Sequence, residues 1–214
     1  MTARPPKAPP IPAHPGLDVR TDELVWSGRF PLQRVVFTYT RFDGTPSREL
    51  IWELWRRGQG VALLPYDPWA DRVALIEQFR LPILAAGYPP IETECVAGLL
   101  EAGEDPAEAA RRETQEEAGL DPDRIEKIGR YFLMQGGCDE MMHLYCGRAR
   151  LPEPGAGATH GLAAEGEDIR LLVLTAEEAL ARLDANTITN ATAALCLHWL
   201  RQHRARLRQD WTTA

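Results

Sequence analysis

No run of about 18 apolar residues, the length a helix needs to cross a bilayer, occurs in the 214-residue chain. Its four cysteines, Cys95, Cys138, Cys146 and Cys196, include no CxxC pair. That removes the commonest zinc and dithiol spacings, and free thiols in a reducing compartment are expected. Cys138 has no adjacent base that would make it a nucleophile. Basic residues are in deficit: 24 Lys and Arg stand against 31 Asp and Glu, for a net charge of −7. Contacts along a nucleic-acid backbone need surplus cations, so that class of partner is not expected. A small phosphorylated ligand held through a divalent metal remains open, because carboxylates alone would repel it. Internal repeats are absent, and the first residues lack the apolar core of a secretory leader. A cytoplasmic protein with neither membrane nor nucleic-acid partner is the expectation.

With 44% hydrophobic and 26% charged residues, the chain can bury an ordinary core. Residues 1–16 hold six prolines and read as an extended arm. Residues 17–56 read as a small antiparallel β-subdomain, with strand-like runs at Val25-Trp26, Arg34–Thr40 and Leu50–Trp55 and a turn at Asp43-Gly44. So few strands are marginal alone and need a partner surface. The main domain, residues 57–214, opens with strands at Val61–Tyr66 and Arg72–Arg80 around a turn at Asp67–Asp71. A helix at 106–118, strands at 141–149 and 169–174, and helices at 176–184 and 191–208 follow. The long segment 152–168, rich in Pro, Gly and Ala and then acidic, reads as a functional loop. This order predicts an α+β, or mixed α/β, fold.

Chemistry concentrates between Gly98 and Leu120. Asp105 can cap a helix, Pro106 suits its first position, Glu108 can complete a capping box, and Gly119 can end it in the left-handed conformation. On that helix Glu113, Glu116 and Glu117 crowd one sector, where mutual repulsion weakens an isolated helix. Such a cluster of hard oxygens is what Mg²⁺ requires, and the carbonyl of Ala97 in the preceding loop can reach the same metal. A solvated acidic face is the alternative for any Glu-rich helix. His143 and His198, with apolar neighbours, read as structural residues, whereas His160 lies in the long loop.

The stretch resembles the Nudix box, Gly-x5-Glu-x7-Arg-Glu-U-x-Glu-Glu-x-Gly-U with U a bulky apolar residue. Gly98, Glu104, Arg112, Glu113, Glu116, Glu117 and Gly119 all match, and Thr114 departs at the first U position. The resemblance implies the Nudix fold, a mixed sheet sandwiched between helices, and metal-assisted attack of water on a pyrophosphate. It implies Glu113 and Glu117 as ligands of Mg²⁺ (or Mn²⁺), with Glu116 a ligand or close catalytic neighbour. Arg112 then orients a carboxylate, and Glu104 supports it from behind. Outside the box, LLPYDPWADRVALIEQFR, ETECVAGLLEAGED, GGCDE and HGLAAEGEDIR resemble the ADP-ribose pyrophosphatase branch. This implies substrate contacts from Arg80, Glu140, Gly98 and Leu99, a catalytic base in Glu165 and a further metal ligand in Glu167. It also implies a homodimer that exchanges its N-terminal sheet. Trp26, Trp52 and Trp55 would stack on a purine base, line that interface, or simply pack. The branch usually carries proline where this chain has Gln135, so nucleotide-sugar hydrolases acting on compounds such as GDP-mannose stay open as the second reading. A nucleotide-sensing module without activity is disfavoured, because every box glutamate is retained.

Overall fold

The computed structural model describes residues 10–155, 157–162 and 166–213. They form two compact units, one from the chain up to Gln59 together with Phe132–Met141, the other from Gly60–Tyr131 and Met142 onward. Of the proline-rich arm only residues 10–16 are described, and they contain neither helix nor strand.

The first unit is built on a three-stranded antiparallel sheet, β1 (Leu17–Ser27), β2 (Pro31–Tyr39) and β3 (Leu50–Trp55), in the order β1-β2-β3. β1 begins well before the Val25-Trp26 run, because pairing with β2 recruits the polar stretch LDVRTDE into the ladder. Between β2 and β3 the Asp43 carboxylate accepts from the Thr45 N–H at 2.9 Å, and Gly44 takes φ 82°, the left-handed turn that glycine enters cheaply. Val25, Trp26, Ile51 and Trp52 are 48%, 64%, 49% and 47% exposed, so this sheet leaves apolar side chains unburied. Trp52 meets Phe37 edge to face at 5.5 Å.

The GGCDE segment joins this unit through its backbone. Gly137 O accepts from Trp55 N at 2.8 Å, and Asp139 N donates to Trp55 O at 3.3 Å. The Asp139 carboxylate then receives the Arg57 and Gly58 N–H groups at 2.7 and 3.1 Å and Arg56 Nε at 2.7 Å. A carboxylate satisfied by that many donors is a structural staple.

The second unit contains β4 (Gln59–Asp67), β5 (Arg72–Phe79), α1 (Leu81–Ala85), β6 (Ile91–Glu94), β7 (Val96–Leu99), α2 (Pro106–Ala118), β8 (Arg124–Phe132), β9 (Met141–Arg148), β10 (Thr159–His160), β11 (Ile169–Thr175), α3 (Ala176–Asp184) and α4 (Ala191–Thr212). Its strands form one sheet in the order β10-β11-β5-β4-β9-β8, with β6 added to β5 and β7 to β4. β4 and β5 are buried on both faces, and alternate residues feed different cores. Ala62, Leu64, Tyr66, Val73 and Leu75 pack with α3 and α4 residues such as Ala179, Leu197 and Leu200. Val61 and Leu63 pack with Ala109 and Ala110 of α2, and Ala74 and Ile76 pack with Ala118 at its end. The sheet therefore lies between helices: the mixed α/β class that the element order predicted, in the sandwich that the family resemblance implied.

Three details differ from the sequence reading. The last helix runs to Thr212, four residues past the expected end, because Trp211 is fully buried and anchors its final turn. His198 faces solvent on α4, while His143 is buried in β9 as expected of a structural residue. α1, β6, β7, β8 and the two-residue β10 were not anticipated. All four cysteines are buried and free. Among the described residues no helix is long and apolar enough to cross a membrane.

Candidate functional site

α2 has the boundaries its caps dictate. The Asp105 carboxylate accepts from Ala107 N at 2.9 Å and Glu108 N at 3.2 Å, and Gly119, with φ 64°, sends its N–H to Gln115 O. The capping box is only half made: Glu108 points to Arg111, at 3.8 Å, and not back to the Asp105 N–H. Thr114, the departure from the apolar position, is wholly buried and donates its hydroxyl to Ala110 O at 2.7 Å. The polar atom is thereby hidden within the helix, and the methyl group packs as an apolar residue would.

Beside α2 runs β7, whose Gly98 lies opposite Val61 of β4. A Cβ at Gly98 would overlap the carboxylate of Glu113, so glycine is what lets helix and strand approach. Ala97 N donates to Glu117 Oε2 at 2.9 Å. The contact recorded for Ala97 is thus through its N–H, where sequence reasoning had pointed to its carbonyl. Glu117 is 4% exposed, and burial pushes its carboxyl up to about 8. The Ala97 N–H and Arg80 oppose that rise, whereas Glu113 and Glu167 add to it. Burial raises Glu113 in the same direction against the pull of Arg112.

Arg112 organises the polar side of the cluster. Its Nη1 donates to Glu113 at 2.9 Å and Glu116 at 3.2 Å, while its Nε and Nη2 hold Glu104 at 3.1 and 3.3 Å. Nη2 also reaches Leu99 O at 3.5 Å. The Arg112 guanidinium and the Glu101 N–H hold the Glu104 carboxyl below its ordinary range. Helix and strand therefore bring together Ala97, Gly98, Leu99, Glu104, Arg112, Glu113, Glu116 and Glu117. Glu167, whose Oε2 accepts from Leu162 N at 2.9 Å, lies close enough to affect Glu113, Glu117 and Arg80 electrostatically. Glu165 lies outside the described residues.

Arg80 is clamped by Glu94, with Nε and Nη2 at 2.6 and 2.7 Å from its two oxygens. Glu94 is buried on β6, and sequence reasoning missed it. The alternation of Glu92 and Glu94 in IETEC was the available signal, since two carboxylates on one strand face demand partners. Trp52 and Glu140 belong to the first unit. There Glu140 pairs with Arg57 at 2.6 Å, and Arg57 stacks over Phe30 and Trp55 at 4.4 and 4.7 Å. Neither Arg57 nor Phe30 was singled out by pattern.

Among the described residues no three His, Cys, Asp or Glu side chains stand as a ready metal cage, and Glu113 and Glu116 are engaged by Arg112 instead. The donor chemistry nevertheless fits a hard divalent cation. Every candidate donor is oxygen, the buried Glu117 charge needs a counter-ion, and Gly98 keeps the approach to Glu113 clear.

Comparison with known proteins gives one answer. The NUDIX domain family matches residues 56–195. The ADP-ribose pyrophosphatase of Escherichia coli strain K12 is 35% identical over 195 residues, covering 91% of this chain and 92% of that protein. The ADP-ribose pyrophosphatase of Haemophilus influenzae is 34% identical over 91% of this chain and 90% of its own. A GDP-mannose pyrophosphatase of Yersinia enterocolitica is 30% identical over 85% of this chain and 93% of its own. A crystal structure described as an ADP compounds hydrolase superposes with a TM-score of 0.69 at 20% identity, over 90% of this chain and 97% of that one, which speaks for the fold. With a box helix built as described and likeness along nine-tenths of its length, the chain belongs to the Nudix family and is a Nudix hydrolase of the pyrophosphatase kind.

Proposed function

We propose that the chain hydrolyses the pyrophosphate of ADP-ribose to AMP and ribose 5-phosphate with Mg²⁺. For the reaction, the carrying observation is the pair of carboxylates on one face of α2, Glu113 against Gly98 and Glu117 buried beneath it. For the substrate, it is the higher identity to ADP-ribose pyrophosphatases, 35% against 30% for the GDP-mannose enzyme.

In this reading Glu113, Glu116, Glu117, Glu167 and the Ala97 backbone would hold the cation. When bound, such a cation polarises phosphate oxygens and lowers the pKa of the attacking water. Arg112, braced by Glu104, keeps Glu113 and Glu116 in place, so their carboxylates are oriented before substrate arrives. Arg80, immobilised on Glu94, offers the positive charge that steadies a diphosphate. Glu165 takes the proton from the attacking water, and Gly98 and Leu99 line the approach. The resemblance also assigns substrate contacts to Glu140 and Trp52. We also propose a homodimer through the N-terminal sheet, supported by the exposed Val25, Trp26, Ile51 and Trp52.

The second reading is a nucleotide sugar such as GDP-mannose, favoured by Gln135 in place of the usual proline and by the Yersinia relative. The deciding experiment incubates the full chain and Mg²⁺ with ADP-ribose, GDP-mannose, UDP-glucose, NADH and a diadenosine polyphosphate, reading out the monophosphates. AMP from ADP-ribose at the highest kcat/KM is the expected result. Preferential GMP release from GDP-mannose replaces the substrate, and no product from any compound removes the proposal.

A further inference from the structure

β10 ends at His160, whose imidazole lies over Gly119, the residue that closes α2. A Cβ at Gly119 would come within 2.8 Å of His160 Cε1 and 3.3 Å of its Nδ1, so the ring fills the space a side chain would take. The next residue, Gly161, donates its N–H to Glu116 O at 3.3 Å. A Cβ at Gly161 would stand 2.7 Å from the Cβ of Glu167, so the two backbones run in contact. Leu162 N then donates to Glu167 Oε2 at 2.9 Å, and Glu167 N donates to Leu162 O at 3.3 Å. Residues 160–162 thus fold Glu167 back against the last turn of α2.

That placement works against charge repulsion. Glu167 is near enough to Glu113 and Glu117 to disfavour their ionisation, and like charges drive the segment away from the helix. The bond tying Gly161 to the helix is long, so packing must supply much of the restraint. Among the described residues the buried His160 Nε2 has no hydrogen-bond partner, so the ring acts there through volume and contact.

We propose that His160 is a positioning residue: packed over Gly119, its ring holds Glu167 beside the carboxylates of α2, so that one divalent cation is bound by both. The inference rests on the reading of Glu167 and the box glutamates as cation ligands. It accounts for Gly119 twice, as the left-handed end of the helix and as the seat of the imidazole.

The test uses Mn²⁺ alone, titrated into the 214-residue chain without substrate, with free ion counted by electron paramagnetic resonance. Glu167→Gln is expected to weaken Mn²⁺ binding, and His160→Ala to weaken it about tenfold. His160→Phe, which refills the space without ring nitrogens, should bind nearly as the natural protein does. In the Glu167→Gln background, His160→Ala should add nothing. Undiminished binding in His160→Ala, with a loss in Glu167→Gln, overturns the positioning role and leaves the ligand assignment standing. Additive losses, or a Phe variant as weak as Ala, also overturn it. No effect of Glu167→Gln removes Glu167 from the cation site and takes the proposal with it. Should His160→Ala lose its fold by circular dichroism, His160→Leu, which keeps bulk without the flat ring, enters the same comparison.

Discussion

Gly98 on β7 and Glu113 on α2 are so close that a single methyl group on the glycine would occupy the carboxylate's position. Gly98→Ala must therefore either displace Glu113 or push strand and helix apart. If Glu113 holds the cation as proposed, the expected outcome is a roughly 10–100-fold loss of kcat/KM, the usual cost of moving a metal ligand from outside its own side chain. Thermal unfolding should change far less than activity. Steady-state kinetics with Mg²⁺ varied checks this, and full activity in Gly98→Ala would mean that Glu113 is not held where the reaction needs it.

Glu117→Gln keeps the size of the buried side chain and its acceptor for the Ala97 N–H, but removes the charge. The fold should persist, because burial already disfavours that charge. Turnover should fall on the order of a thousandfold, equivalent to ~4 kcal/mol of transition-state stabilisation. Circular dichroism beside a product assay reads both quantities, and near-normal turnover would place the cation elsewhere.

Thr114→Val tests whether the apolar rule of the box is about volume alone. The Thr114 hydroxyl spends its hydrogen bond on Ala110 O, which helix geometry already satisfies. Replacing it by a methyl group should change stability by less than about 1 kcal/mol and leave kcat unchanged. A large loss of activity would show that the hydroxyl serves the site.

Asp71 links the β4–β5 turn to α4 through Arg204 and Arg208, and accepts from Tyr66 Oη at 2.7 Å. Burial opposes its ionisation, but the hydrogen bonds from Arg204 and Tyr66 outweigh burial and hold its carboxyl below the ordinary 3.8. The folded pKa is depressed, so the stabilisation is complete above the unfolded value and disappears as pH falls through the folded one. Asp71→Asn tolerates the same left-handed backbone, φ 57°, but drops the charge. At pH 7 it should cost about 1–3 kcal/mol. That deficit should shrink as pH falls through the folded pKa, which lies below 3.8, and be gone beneath it in parallel denaturation series. A gap independent of pH would assign the effect to hydrogen-bond geometry alone.

The bounds of α2 were legible because its ends are chemical, although the Glu108 half of the capping box is not made: Asp105 and Gly119 act on their immediate neighbours, and no distant residue is needed to read them. The strand at 124–132 was missed for the opposite reason. Its sequence, RIEKIGRYF, shows no clean alternation, and as the outer strand of the sheet it buries little. The short helix after Arg80 is only five residues long and carries a proline at its start, below what periodicity resolves. Within the site, the carboxylates of α2 could be read from spacing, but the Arg80–Glu94 clamp could not. That pair exists because β5 and β6 align Phe79 with Ile91, a register created by tertiary pairing. The turn at Asp67 was foreseen from composition, whereas its closure, with Asp67 accepting the Trp69 and Ala70 N–H groups at 2.9 Å, is a property of the folded chain.

The two-faced packing of β4 makes the chemistry hostage to arithmetic. Deleting a single residue between Gly60 and Leu63 would send the side chains meant for the terminal helices toward the Nudix helix and the reverse, since neighbours along a strand point opposite ways. The same slip would shift the Val61–Gly98 alignment by one step, and so disturb the strand that carries Gly98 beside Glu113. A strand without one catalytic atom of its own therefore keeps count for the whole centre, and length changes there should be far less tolerated than substitutions.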